Sequence, residues 1–230
     1  MTMIADNLQA VHARVTAACV AAGRALNSVT LLAVSKSFSV SDIEQAIAAG
    51  QTCVGENYIQ EAVEKILVVG HSSVQWHCIG PVQSNKTRLV AEHFDWVQSV
   101  DRLKIAQRLS EQRAAHLPPL QICIQVNSDG GANKAGVAPD ELLGLAHAVA
   151  RLPRLKLRGL MSIPEPASDF ATATALHSRA RRLMEGLNAG GLQLDTLSMG
   201  MSADLEAAIH AGSTMVRVGT AIFGGRPRPA

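Results

Sequence analysis

Eight short apolar runs rich in β-branched residues recur along the chain, separated by longer segments in which polar and apolar positions mix. They lie at 31–35 (LLAVS), 52–55, 76–80, 96–100, 120–127, 155–163, 194–199 and 214–219. Runs this short and this apolar predict buried strands, and the spacing between them leaves room for one helix each. Helices are predicted over 41–49, 58–69, 84–92, 101–115, 139–150, 168–187 and 202–211. Ahead of the first strand, Ile4, Leu8, Val11 and Val15 recur at helical spacing and predict an additional helix over 4–25.

Local punctuation supports this pattern. Ser41-Asp-Ile-Glu44 has the form of a capping box, Asp101 and Ser202 suit N-caps, and Pro139 suits a first helical turn. Gly50 and Gly212 fall just past helix ends. Strands that alternate with helices imply a parallel sheet with right-handed crossovers, and eight repeats predict closure. The expected fold is therefore α/β: a single (β/α)₈ TIM barrel over residues 1–230 with an extra N-terminal helix. No C-terminal β domain is expected, because only a short apolar piece and a Pro/Arg tail follow residue 220.

Composition narrows the function. With 47% hydrophobic and 17% charged residues the chain is a globular protein rather than a disordered one. A net charge of +2, with basic residues scattered outside Arg179-Ala-Arg181-Arg182, predicts no nucleic-acid partner. Cys19, Cys53, Cys78 and Cys123 lack the paired spacing of a zinc or redox site and suit free thiols in a reducing cytoplasm. Asp6, His12 and Arg14 interrupt the N-terminal apolar pattern and no later window is long enough to span a bilayer, so a cytoplasmic protein without a membrane partner is expected.

Barrels of this kind place their chemistry at the C-terminal ends of the strands. Gathered there are Lys36, Asn57 with Tyr58, the loop from Gly80 to Lys86, Asn127, Met161-Ser162, Ser198-Met199-Gly200-Met201-Ser202, Arg217 and Gly219-Thr220. Singly, each has an ordinary role: Asn57 closing a turn, Ser202 capping a helix, Arg217 in an internal salt bridge, His77 as a hydrogen-bonded interior histidine. Their convergence points further. The Ser198–Ser202 segment entering a helix, with Gly219-Thr220 after the last strand, predicts a phosphate cup. A lysine partly withdrawn from water near cationic groups has a lowered pKa and attacks aldehydes, forming a Schiff base. With Arg217 facing a ring nitrogen, these features meet the requirements of pyridoxal 5′-phosphate (PLP).

Long blocks carry a family resemblance: AVSK at 33–36, VGENYIQE at 54–61, WHCIGPVQSNK at 76–86, QVN at 125–127 with Lys134-Ala-Gly136, GLMSIP at 159–164, LSMGMSADLEAAI at 197–209 and GSTMVRVGTAIFG at 212–224. On these motifs the chain resembles the pyridoxal phosphate homeostasis protein family, PLP-binding barrels of fold type III related to the N-terminal domain of alanine racemase. The resemblance implies that Lys36 carries the cofactor, that Arg217 sits by the pyridine nitrogen, and that Ser198, Gly219 and Thr220 hold phosphate. Asn57, Met199, Met201 and Ser202 fall in matching motifs around the same mouth. The chain departs from the family pattern at Lys36-Ser-Phe-Ser, where Lys-Thr and a nearby proline are commoner, and at Gly131-Ala132, which replaces acidic residues.

The function implied is non-catalytic: buffering PLP or delivering it to apo-enzymes, as a monomer or weak homodimer. An amino-acid racemase or decarboxylase of the alanine racemase type is the alternative. A missing β domain weighs against it, as does a cation at the ring nitrogen, which weakens the cofactor as an electron sink. Tyr58 is the chain's one tyrosine and cannot serve both faces of a substrate. A Schiff-base aldolase would leave Arg217 without a task. Lys86 and Lys134 are open as second docking points.

Overall fold

A computed structural model describes residues 2–71, 74–130 and 135–225; Gly131, Ala132 and Lys134 lie outside the described residues. The chain begins with helix α1 (Met3–Ala21) and then alternates: β1 (Thr30–Val34), α2 (Val40–Ala48), β2 (Cys53–Glu56), α3 (Ile59–Val69), β3 (Gln75–Cys78), α4 (Thr87–His93), β4 (Trp96–Val100) and α5 (Leu103–Gln112). The second half continues with β5 (Leu120–Gln125), α6 (Pro139–Ala150), β6 (Leu155–Met161), α7 (Phe170–Ala189), β7 (Thr196–Ser198), α8 (Leu205–His210), β8 (Met215–Val218) and α9 (Thr220–Phe223). All eight strands pair in parallel with their sequence neighbours, and β8 returns to β1 with Leu32 opposite Arg217, closing the barrel. The predicted eightfold alternation and the extra N-terminal helix are both present.

Several boundaries differ from expectation for local reasons. The capping box sits two residues before 41–44: extended Ser39 accepts from the Asp42 amide while Asp42 accepts from the Ser39 amide, so α2 starts at Val40. Asp101 caps nothing; its carboxylate takes the Arg102 guanidinium at 2.8 Å, and α5 begins two residues later without a side-chain cap. Ser202 is not an N-cap either. Gly200, at φ +93°, turns the chain, and Asp204 Oδ1 accepts the Met201 amide at 2.6 Å, so α8 starts only at Leu205. Residues 84–92 split into a 3₁₀ turn at Ser84–Lys86 followed by α4. Helix α9 was not anticipated, being only four residues long, too short to display a period. Pro139 does occupy the first turn of α6, and Gly50 and Gly212 take the left-handed conformation past their helices.

Two apolar layers hold the barrel. The larger lies between the sheet and helices α2 to α8, including Ile43, Ile66, Trp76, Leu109, Leu142 and Leu197. The smaller is built by α1, whose Ile4, Leu8, Val11 and Val15 cluster with Leu205, Ile209 and Ile222 beside the β8–β1 seam. Thus the additional helix covers the place where the first and last strands meet. The barrel interior holds the small sets Leu32, Cys53 and Met215, and Trp96, Cys123 and Met161. Burial pushes the Cys78 and Cys123 thiols up to about 12, which makes them packing groups rather than nucleophiles.

One backbone contact makes a glycine obligatory. Between β6 and β7 a Cβ on Gly159 would collide with the Thr196 carbonyl, next to a register shift in the β5–β6 ladder. Gly159→Ala is expected to destabilise the protein by about 2 kcal/mol or more. Urea denaturation measures it, and an unchanged midpoint would show that the ladder yields there at no cost.

Among the described residues no helix is long and apolar enough to cross a membrane, and no group of three or more metal-ligating side chains is present.

Candidate functional site

At the C-terminal mouth of the barrel a cavity of about 340 Å³ is lined by strand-end residues from around the ring. Lys36 after β1, Asn57 after β2, Ser202 and Ala203 after β7, and Arg217, Gly219 and Thr220 at β8 provide its polar lining. Val34, Ile79, Ile163 and Met201 complete the wall. The closure register explains why the two cationic side chains share one space, since β1 and β8 are direct neighbours.

Arg217 is buried, and its guanidinium is held from below. One NH donates to the Ser198 hydroxyl at 2.8 Å and the other to the Ser162 carbonyl at 3.0 Å. Both acceptors are neutral oxygens, and burial lowers the guanidinium to about 10, which leaves it charged at neutral pH. The Ser198 hydroxyl in turn donates to Gln98 Oε1 at 2.7 Å, and Gln98 Nε2 meets His77 Nδ1 at 2.9 Å. Because an amide nitrogen can only donate, His77 Nδ1 accepts and the ring proton sits on Nε2. That Nε2 is buried with no partner among the described residues, and the ring stacks on Trp96 with centroids 5.1 Å apart. A polar chain therefore runs up the barrel axis from His77 to Arg217, and its purpose at the top is to fix a guanidinium.

Lys36 is half-buried and stands in a tight turn between Ser35 and Ser37. Ser37 is in the left-handed region at φ +67°, one of two described non-glycine residues with positive φ. The turn is anchored on both sides. Ser35 donates its hydroxyl to Glu56 Oε1 at 2.6 Å and accepts Lys65 Nζ on its carbonyl at 3.0 Å. The Ser37 amide donates to Glu61 Oε1 at 2.8 Å. Lys65 Nζ also pairs with Glu56 at 2.8 Å and Glu61 at 2.6 Å, so all three of its protons have acceptors. Burial raises the Glu56 carboxyl, opposed in part by Lys65 and Ser35.

The loop after β7 is fixed by Asp204. Burial alone would raise its carboxyl, but hydrogen bonds from His177 at 2.9 Å and from the Met201 amide outweigh that and hold it below the usual carboxylate range. On the opposite side Asn57 Oδ1 is buried with no hydrogen-bond partner among the described residues. A buried acceptor at a cavity wall awaits a donor.

Residues 6–227 match the model for the alanine racemase N-terminal domain. The pyridoxal phosphate homeostasis protein of Pseudomonas aeruginosa is 57% identical over 226 residues, covering 98% of this chain and 97% of that one. Its counterpart from Vibrio cholerae is 53% identical over 230 residues, covering 98% of each. The chain belongs to the pyridoxal phosphate homeostasis protein family. A solved structure of PipY from Synechococcus elongatus, described as having PLP bound, superposes with a TM-score of 0.84 at 35% identity, covering 96% of this chain and all of that one.

On this homeostasis-family barrel, seven of the nine residues that the resemblance singled out line the one cavity: Lys36, Asn57, Met201, Ser202, Arg217, Gly219 and Thr220. Ser198 and Met199 do not. The Ser198 hydroxyl is engaged beneath the cavity by Gln98 and Arg217, and Met199 is fully buried in the layer between sheet and helices. Tyr58 is exposed at the start of α3, and Lys86 ends the 3₁₀ turn and is not among the lining residues. Sequence reasoning missed Gln98 and the Glu56–Lys65–Glu61 cluster. A signal for the cluster existed: Lys65 falls on the inward stripe of α3 with Ile59, Ala62 and Ile66, four residues after Glu61. A lysine there must be paired.

Proposed function

We propose that this chain holds PLP in the barrel mouth, linked through its aldehyde to Lys36, and serves in the cytoplasm as a non-catalytic buffer or donor for apo-enzymes. The observation that carries this reading is the single cavity that unites an amine, a buried guanidinium and a wall of hydroxyl and backbone groups. Its volume lies at the small end of ligand pockets, as suits a one-ring phosphorylated molecule. The Asn57 oxygen on its wall, which has no hydrogen-bond partner among the described residues, also fits a ligand with a donor to offer. The names of the relatives and the PLP-bound PipY structure support the same ligand.

When bound, the cofactor supplies an aldehyde carbon that a primary amine joins as C=N, the aldehyde oxygen leaving as water. Lys36 provides that amine. Arg217, rigid on Ser198 and Ser162, would hold a positive charge beside the ring nitrogen, and a cation there would oppose its protonation. Ser202, Gly219 and Thr220 take the anionic end. Without ring protonation the site is a poor electron sink, which supports a carrier in place of a racemase or decarboxylase. A monomer or weak homodimer is the assembly that goes with this reading.

Mixing loaded protein with an apo-enzyme that requires PLP is the test. Activity recovering faster than spontaneous cofactor release is expected, and L-alanine added to the loaded protein is expected to stay unracemised beyond the rate of free PLP. Sustained turnover of amino acids would overturn the carrier reading.

A further inference from the structure

We propose that the buried Glu56–Lys65–Glu61 cluster is the positioning device for Lys36, holding the 35–37 turn so that the amine meets the aldehyde with little left to order. This inference rests on the reading of Lys36 as the cofactor-bearing residue, and it assigns work to three charged groups that are not among the residues lining the cavity.

The geometry points there because three anchors of the turn end in the cluster. Ser35 is held through both its hydroxyl and its carbonyl, and Ser37 through its amide, at 2.6, 3.0 and 2.8 Å. The residue between them is Lys36. Ser37 pays for a left-handed backbone that serine seldom adopts, and such a conformation persists only where its surroundings over-determine it. Lys65, only 6% exposed, is an expensive residue to bury. A cluster serving α3 alone would need only the Glu61–Lys65 pair; this one reaches across to β2 through Glu56 and to the β1 turn through Ser35 and Ser37. Three elements meet at one lysine backbone.

The linkage itself is unchanged by the inference: the Lys36 nitrogen adds to the aldehyde carbon, C=N forms and water leaves. What the cluster changes is how much backbone freedom is lost in that step. Releasing one residue restores conformational freedom worth about a tenfold change in an equilibrium constant.

Glu61→Ala is the probe, since Glu61 is the most exposed member, with 33% of its side chain accessible, and its loss should leave the fold intact. Absorbance titration with PLP should show the linkage constant about tenfold weaker, with faster capture of the cofactor by added hydroxylamine. Glu61→Gln keeps an acceptor for the Ser37 amide and should recover most of the loss. A purely structural role would lower the melting midpoint of Glu61→Ala and leave the linkage constant at the parent value, and that result overturns the inference. Amide hydrogen exchange at Ser37 gives a readout without ligand: protected in the parent, fast in Glu61→Ala, with equal protection in both again overturning it. Borohydride trapping separates the two proposals. Absence of label on Lys36 in the parent protein sinks the reading on which this inference rests, whereas parent-like constants in a labelled Glu61→Ala sink the positioning role alone.

Discussion

Lowering the pH from neutral to 4.5 should remove about 2 to 3 kcal/mol of folding stability, most of it traceable to the buried ring of His77. Burial lowers the His77 imidazole to about 3, against an ordinary value of 6.5. Between those values the unfolded chain carries a proton that the native state refuses, so stability rises with pH across that window. The contribution is complete above pH 6.5 and is lost progressively as pH falls toward 3. Over the whole window the difference is on the order of 4 to 5 kcal/mol. Among the other described groups with shifts, His12, whose imidazole burial also lowers, acts in the same direction at pH 4.5, and the carboxyls do not. Asp204 and Asp195 are held below the usual carboxylate range and lose their contributions at more acid pH, while the raised Glu56 carboxyl favours the native state as pH falls. Urea denaturation at pH 7 and 4.5 measures the effect. His77→Gln, which can still accept from Gln98, should flatten the dependence; a variant with the parent's slope would place the acid-sensitive group elsewhere.

Lys36→Ala should abolish covalent retention of PLP while sparing the fold. The substitution falls in a half-buried turn and leaves Arg217, Ser198 and Ser162 in place, so the remaining cavity still receives a phosphorylated ring. Without the amine the ligand is held by reversible contacts alone, and its release should accelerate on the order of 100-fold, a difference of about 3 kcal/mol. Gel filtration of the loaded variant and loss of the visible absorbance band report this directly. A variant that keeps both the colour and the cofactor through the column would show that another amine carries it.

The barrel was legible in the sequence because its strands are nearly uniform apolar runs and its helices carry clear stop signals. Helix starts were less so. Capping depends on which residue takes an extended backbone, and Ser39 rather than Ser41 does. At the site, the rule that strand ends carry the chemistry was enough to gather Lys36, Asn57, Arg217, Gly219 and Thr220. It could not decide which way successive residues of β7 and its exit face. Ser198 turns into the barrel beneath Arg217 and Met199 turns out into the helix layer, so a motif that reads as one unit splits between two environments. Gln98 was invisible for a different reason, and for the Lys65 cluster the sequence showed a lysine that must be paired but not its partners across the sheet. Gln98 finds its partners on β3 and β7, and Lys65 finds Glu56 on β2 and Ser35 just after β1, so only the assembled sheet brings them together.

The central claim is that one amine at the mouth forms the bond to the cofactor, and reduction of the loaded protein with borohydride followed by peptide mass mapping tests it most directly. The account predicts a phosphopyridoxyl group on Lys36. Modification confined to Lys86, Lys134 or any other lysine would contradict it.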